Sequence, residues 1–162
     1  MLMPSYPDPR FSEMAEPRVV DAGLTDIGER LLAAAEATRA YGLAAVHIGA
    51  VAPVVVVSIA DDPAMRDYRV LYNPRIVETF GPRETGREGS VALPGVEVEI
   101  SRPFGALIAF DDNEGQAQHL RLEGWPCRIA QHEIEQMNGV FFLTHLSRLK
   151  REMLLKKARK RG

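Results

Sequence analysis

The chain has 162 residues, of which 46 % are apolar and 26 % charged, enough to bury one core without disulfide or metal staples. Twenty Lys and Arg against 22 Asp and Glu leave a net charge of −2, which excludes a chain that is basic throughout, as many DNA-binding proteins are. The single cysteine, Cys127, excludes an intrachain disulfide framework and a cysteine-rich zinc module. No run reaches the ~18 apolar residues of a membrane span, and the start MLMPSYPDPRF lacks a secretory or transit pattern. One cytoplasmic domain over residues 1–162 is expected, with no membrane or DNA partner.

Residues 1–20 are proline-rich and predict an extended or looped arm. Helix signals begin at Asp21 to Thr25, with Thr25 able to cap. Leu24, Ile27, Leu31, Leu32, Ala35 and Thr38 then recur at helical spacing as far as Ala40. The small-residue segment AYGLAAVHIGA (40–50) allows close backbone approach. APVVVVSIA (52–60) predicts a buried strand. RVLYNPRIVE (69–78) predicts a second strand, with Asn73-Pro74 marking an edge or a bend. VEVEI (96–100) has the two-residue period of a strand. FGALIAF (104–110) and QAQHLRLEG (116–124) flank the turn DDNEG as a hairpin. Residues 125–138 return to helical period, with Trp125, Ile129, His132, Glu133, Gln136 and Met137 near one face, and 147–161 predict a last helix. Helix, short strands, helix and helix argue for an α+β domain.

Three segments carry the chemistry: GLAAVHIG (42–49), EGSVALPG (88–95) and QHEIEQMNG (131–139). In order and spacing they resemble the three signature motifs of peptide deformylases, written GxGLAAxQIG, EGCLSxPG and QHExDHLxG. YPDPRF, YNPRI and GWPCRIAQHE also look like that family, so the resemblance spans nearly the whole chain. It implies short, mostly antiparallel sheets packed around a central helix that carries the third motif, followed by a C-terminal helix. It also implies hydrolysis of the formyl group from the N-terminal methionine of new polypeptides. The family holds a divalent metal (iron, nickel or zinc) on one cysteine and two histidines, while a glutamate moves protons. Histidines at i and i+4 share a helical face, and the glutamate between them reaches the bound water.

The resemblance carries over residue by residue. His132 matches the first metal histidine and Glu133 the catalytic glutamate. Glu88 and Gly89 match the start of the second motif, and Gly42, Leu43, Ala44 and Ala45 match the first. Val91 stands where a backbone N–H faces the oxyanion. Gly42, Val91 and Ile129 are expected to line an apolar pocket for the peptide N-terminus, with Glu88 and Gly89 beside it.

The departures fall on the metal ligands. Ser90 occupies the cysteine position, Gln136 the second histidine position, and His47 the glutamine position of the first motif. A serine hydroxyl is a far weaker acid than a thiol, and a glutamine offers only a neutral carbonyl oxygen as a ligand. Structural zinc sites are worth about 10–16 kcal/mol over four ligands, so losing two strong ligands weakens binding by about 10⁴-fold or more. No metal, or weak metal, is therefore expected, with deformylation lost or greatly reduced and Ser90 and Gln136 as hydrogen-bonded polar filling of the vacated site. Three alternatives stay open. They are an active deformylase or related amidase with a rearranged His47/His132 site, a metal-free serine nucleophile at Ser90, and a non-catalytic peptide- or ribosome-binding module.

Cys127 lies five residues before His132, about 140° off its face, which suits a small core residue. Phe141 and Phe142 are expected in the core, and His119 and His145 in structural or exposed positions. The segment 147–162 is basic. A solvated helix explains it, and the family resemblance adds a possible ribosome contact through phosphate.

Overall fold

Asp21 Oδ1 accepts the Leu24 amide at 2.8 Å and so starts helix α1 (Ala22–Thr38). Asp21 is therefore the cap, and Thr25 instead donates its hydroxyl to the Ala22 carbonyl. The stripe Leu24, Gly28, Leu31 and Ala35 is buried, and Arg39 ends the helix in a left-handed conformation, just short of the expected Ala40. The computed structural model describes residues 3–161. Gly162, the end of the expected C-terminal segment, lies outside them.

Strands β1 (Gly42–Ala44), β2 (Val54–Ser58), β3 (Tyr68–Ser90), β4 (Leu93–Asp111) and β5 (Ala117–Glu123) form one antiparallel sheet in that order. The α+β class expected from the motifs is present. The expectation of several short sheets is corrected: two long strands, of 23 and 19 residues, absorb the segments that looked separate. They survive their prolines and glycines because the β3–β4 register shifts at four places, between Tyr72 and Arg75, Ile76 and Glu78, Phe80 and Arg83, and Gly89 and Ser90. Each shift bends the pair without ending it. Asn73-Pro74 is such a bend. It is not an edge, because β3 lies between β2 and β4. Asn73 takes a left-handed φ of 48° and its amide donates to Arg18 O and Asp111 Oδ2. The Asp112–Gly115 hairpin turn stands as expected, with Asp112 Oδ1 accepting the Glu114 and Gln116 amides.

Helix α2 (Gly124–Met137) is the center of the molecule, buried on nearly every side from Pro126 to Met137. Cys127, Ile129, Ala130 and Ile134 join one core cluster with Val55, Val57, Ile100 and Ile108 of the sheet. The N-terminal arm is less open than expected. Asp8 caps a 3-10 turn over Pro9–Ser12, Phe11 is buried, and Tyr6 stacks on Phe141 at 4.4 Å. Phe141 and Phe142 are in the core as expected. Helix α3 (Arg148–Arg161) follows, with Leu154, Leu155 and Ala158 packed on that core. Among the described residues no helix is long and apolar enough to cross a membrane.

Candidate functional site

The first motif places β1 directly beneath α2. A Cβ on Gly42 would meet Ile129 Cγ2 at 2.7 Å, Glu133 Cγ at 2.9 Å and the Val56 carbonyl at 3.0 Å. Only glycine allows this approach. After β1 the chain turns through a 3-10 helix (Ala45–Ile48) that buries His47. The second motif ends β3 and turns into β4, and the third lies on α2. The three converge on a cleft of about 1030 Å³. His47, Glu88, Gly89, Ser90, Val91, Ile129, His132 and Glu133 line it, as does Gly42. The sequence-predicted site residues thus come together, with one exception. Gln136, one turn beyond His132, does not reach the cleft. Its amide Nε2 donates to the Phe11 carbonyl at 3.0 Å.

Ser90 Oγ accepts the Ala92 amide at 3.1 Å. The expectation that Ser90 and Gln136 fill one vacated cavity is corrected. Ser90 lines the cleft, whereas Gln136 turns its amide to the Phe11 carbonyl of the arm.

His132 Nδ1–H donates to the Glu88 Oε1 carboxylate oxygen at 2.8 Å, which orients the ring. Glu88 also accepts Arg102 Nε and Nη2 at 2.6 and 2.8 Å and Arg128 Nη1 at 2.8 Å. Burial works against its ionization, yet the bonds from His132 and Arg102 outweigh burial and hold Glu88 at about 2. His132 moves the other way. Burial disfavors its charge, but Glu133 and Glu88 together raise its pKa above the usual histidine range. Arg102 is 2 % exposed and also pairs with Glu135 at 3.0 Å, and Glu135 in turn meets His145 at 2.9 Å.

His47 Nδ1 lies 3.0 Å from Ala44 N and 3.1 Å from Ala44 O. Burial, then the charge of His132, lowers its pKa to about 4, so it is neutral at pH 7. Burial raises Glu133 to about 7 despite the pull of His132. Glu133 Oε1 lies 4.0 Å from His47 Nδ1 and, like His47 Nε2, is buried without a hydrogen-bond partner among the described residues.

The sequence matches the family model described as polypeptide deformylase over residues 3–152. The chain belongs to the peptide deformylase family. A peptide deformylase of Mesorhizobium japonicum is 34 % identical over 95 % of this chain and 88 % of its own. A peptide deformylase-like protein of Brucella melitensis is 36 % identical over 98 % and 96 %. A solved peptide deformylase of Ehrlichia chaffeensis superposes with a TM-score of 0.91 at 26 % identity, covering 99 % of this chain and 96 % of that one. The deformylase from the same organism in complex with actinonin gives 0.88 at 27 %, covering 100 % and 97 %.

Deformylases use a divalent metal. The motif resemblance points to His132, Ser90 and Gln136 as the matching positions. Among the described residues no group of three or more His, Cys, Asp or Glu is placed to hold a metal ion. Sequence reading missed Arg102 and Arg128, because arginines in a strand and a helix carry no signal of whom they meet. It also missed that α3 reaches the cleft through Leu154, Lys157 and Ala158. The apolar spacing of Leu154 and Ala158 within a basic segment was the available sign.

Proposed function

We propose that this chain is a single deformylase-like domain that binds the N-terminal segment of formylated or nascent peptides in the cytoplasm, with metal-dependent deformylation lost or greatly reduced. The observation that carries this is chemical. The cysteine and second histidine positions hold Ser90, a weakly acidic hydroxyl that accepts the Ala92 amide, and Gln136, a neutral amide drawn to the Phe11 carbonyl and away from the cleft. These residues do not fit the family's metal, so no hydrolytic step is assigned here. What remains suits a peptide. Gly42, Val91 and Ile129 supply apolar wall, Glu88 and Gly89 an adjoining polar edge, and Glu133 and His47 the polar base. The basic helix α3 suits a ribosomal RNA contact, which belongs to the same proposal.

The competing reading is an active deformylase or related amidase using His47 and His132. It draws support from both histidines lining one cleft and from the deformylase name of the Mesorhizobium relative. Against it, His47 Nδ1 is engaged by Ala44; in its favor, His47 Nε2 is buried without a hydrogen-bond partner among the described residues. Formate release from formyl-Met-Ala-Ser, measured after incubation with iron(II), nickel or zinc, separates the two. Binding without turnover supports the proposal. Turnover that disappears in the His47→Gln variant supports the competitor.

A further inference from the structure

Helix α3 presents Leu154, Lys157 and Ala158 to the cleft, positions i, i+3 and i+4 on one helical face. Leu154 and Ala158 also pack on the core, so this face is anchored against the body of the molecule. The other cations in the cleft are engaged. Arg87 pairs with Glu97 at 3.6 Å. Arg128 is used by Glu88 and by the Ile100 and Glu84 carbonyls. The cleft acid Glu88 is satisfied by Arg102, Arg128 and His132. Lys157 has no ion pair among the described residues; it lines the cleft as an exposed side chain, so any pair it makes with a ligand is of the modest, salt-sensitive surface kind.

We propose that α3 is a wall of the peptide-binding cleft and that Lys157 selects peptides that carry an acidic side chain. This rests on the peptide-binding reading above. It assigns a specificity role to a helix otherwise explained as a solvated or RNA-contacting tail. Glu97, an acid of the same cleft, forms an exposed pair with Arg87. Lys156, the next cation on α3, is exposed like Lys157 but lies outside the cleft.

Trp125 lines the cleft and reports binding by its fluorescence. The probes are formyl-Met-Asp-Ala and formyl-Met-Ala-Asp, each against its Asn isostere, with formyl-Met-Ala-Ala as reference. Asp is expected to bind about three- to fivefold tighter than Asn at about 0.01 M salt, the range of a partly exposed ion pair. The preference should vanish near 1 M salt, where the screening length is about 3 Å. Lys157→Glu should abolish or reverse it, and Lys156→Glu should reduce it clearly less than Lys157→Glu does. Equal affinity for Asp and Asn while formyl-Met-Ala-Ala still binds overturns the role of Lys157 and leaves the peptide reading standing. A preference that survives in Lys157→Glu overturns it too. If no peptide binds at all, the peptide reading fails and this inference falls with it.

Discussion

Among the described residues Arg102 is the only cation that grips Glu88 through two bonds, and Arg102→Met removes it. Arg102 is 2 % exposed and Glu88 7 %, so solvent cannot replace the lost partner. Glu88 would keep Arg128 and His132, but each offers it one contact. Breaking a buried pair by deleting one partner costs about 3–5 kcal/mol. The depression of Glu88 from 4.5 to about 2 against burial, to which the His132 bond and Arg102 both contribute, is worth on the order of 3 kcal/mol at neutral pH and is an upper bound on what Arg102 supplies by this route. The folded pKa of Glu88 is depressed, so that stability is present above pH 4.5 and is lost as pH falls toward 2. Against a total of about 5–15 kcal/mol this is a large share, and it lowers Tm by about 6–20 °C. Urea unfolding at pH 7 measures it. Glu88→Gln alone should also destabilize at pH 7 and should flatten the loss of stability between pH 4.5 and 2. The double variant should cost clearly less than the sum of the two single ones. A cost below about 1 kcal/mol for Arg102→Met, or strict additivity with Glu88→Gln, would refute the reasoning.

Three further outcomes are expected. Gly42→Ala should cost about 1–3 kcal/mol, because its methyl meets Ile129, Glu133 and the Val56 carbonyl, and it should weaken peptide binding; thermal melting and Trp125 fluorescence check both. Glu133 has a folded pKa of about 7, above its ordinary 4.5, so it destabilizes the fold increasingly as pH rises from 4.5 and fully above 7. Glu133→Gln should therefore stabilize the protein by on the order of 2–3 kcal/mol at pH 8 and hardly at all at pH 4.5, by urea midpoints. Ser90→Cys with Gln136→His should tighten metal binding by about 10⁴-fold, measured by competition with a chelating dye.

The elements that sequence made legible were those with a strong local period or a short-range signal. The α1 stripe from Leu24 to Ala35, the VVVV core of β2, the Asp112–Gly115 turn and α2 all carry one. The length of β3 and β4 was hidden, because their continuity depends on cross-strand bulges and not on any local pattern. At the site, the motifs placed His47, Glu88, Ser90, Val91, His132 and Glu133 around one cleft. What they could not place was Gln136, which is drawn off by the Phe11 carbonyl 125 residues away in sequence. Arg102, bound to Glu88 across the β3–β4 pair, and Lys157, at the cleft through α3, depend in the same way on tertiary contacts.

The central claim is that the Ser90 and Gln136 positions do not support the family's metal. It is tested most directly by elemental analysis of protein exposed to iron(II), nickel and zinc and then freed of loose ions, beside the Ser90→Cys, Gln136→His variant. The account predicts well under about 0.1 metal per chain in the unaltered protein and close to one in the variant, the gap that a roughly 10⁴-fold difference in affinity produces. Near one metal per chain in the unaltered protein, with formate released from a formyl-Met peptide, would contradict it.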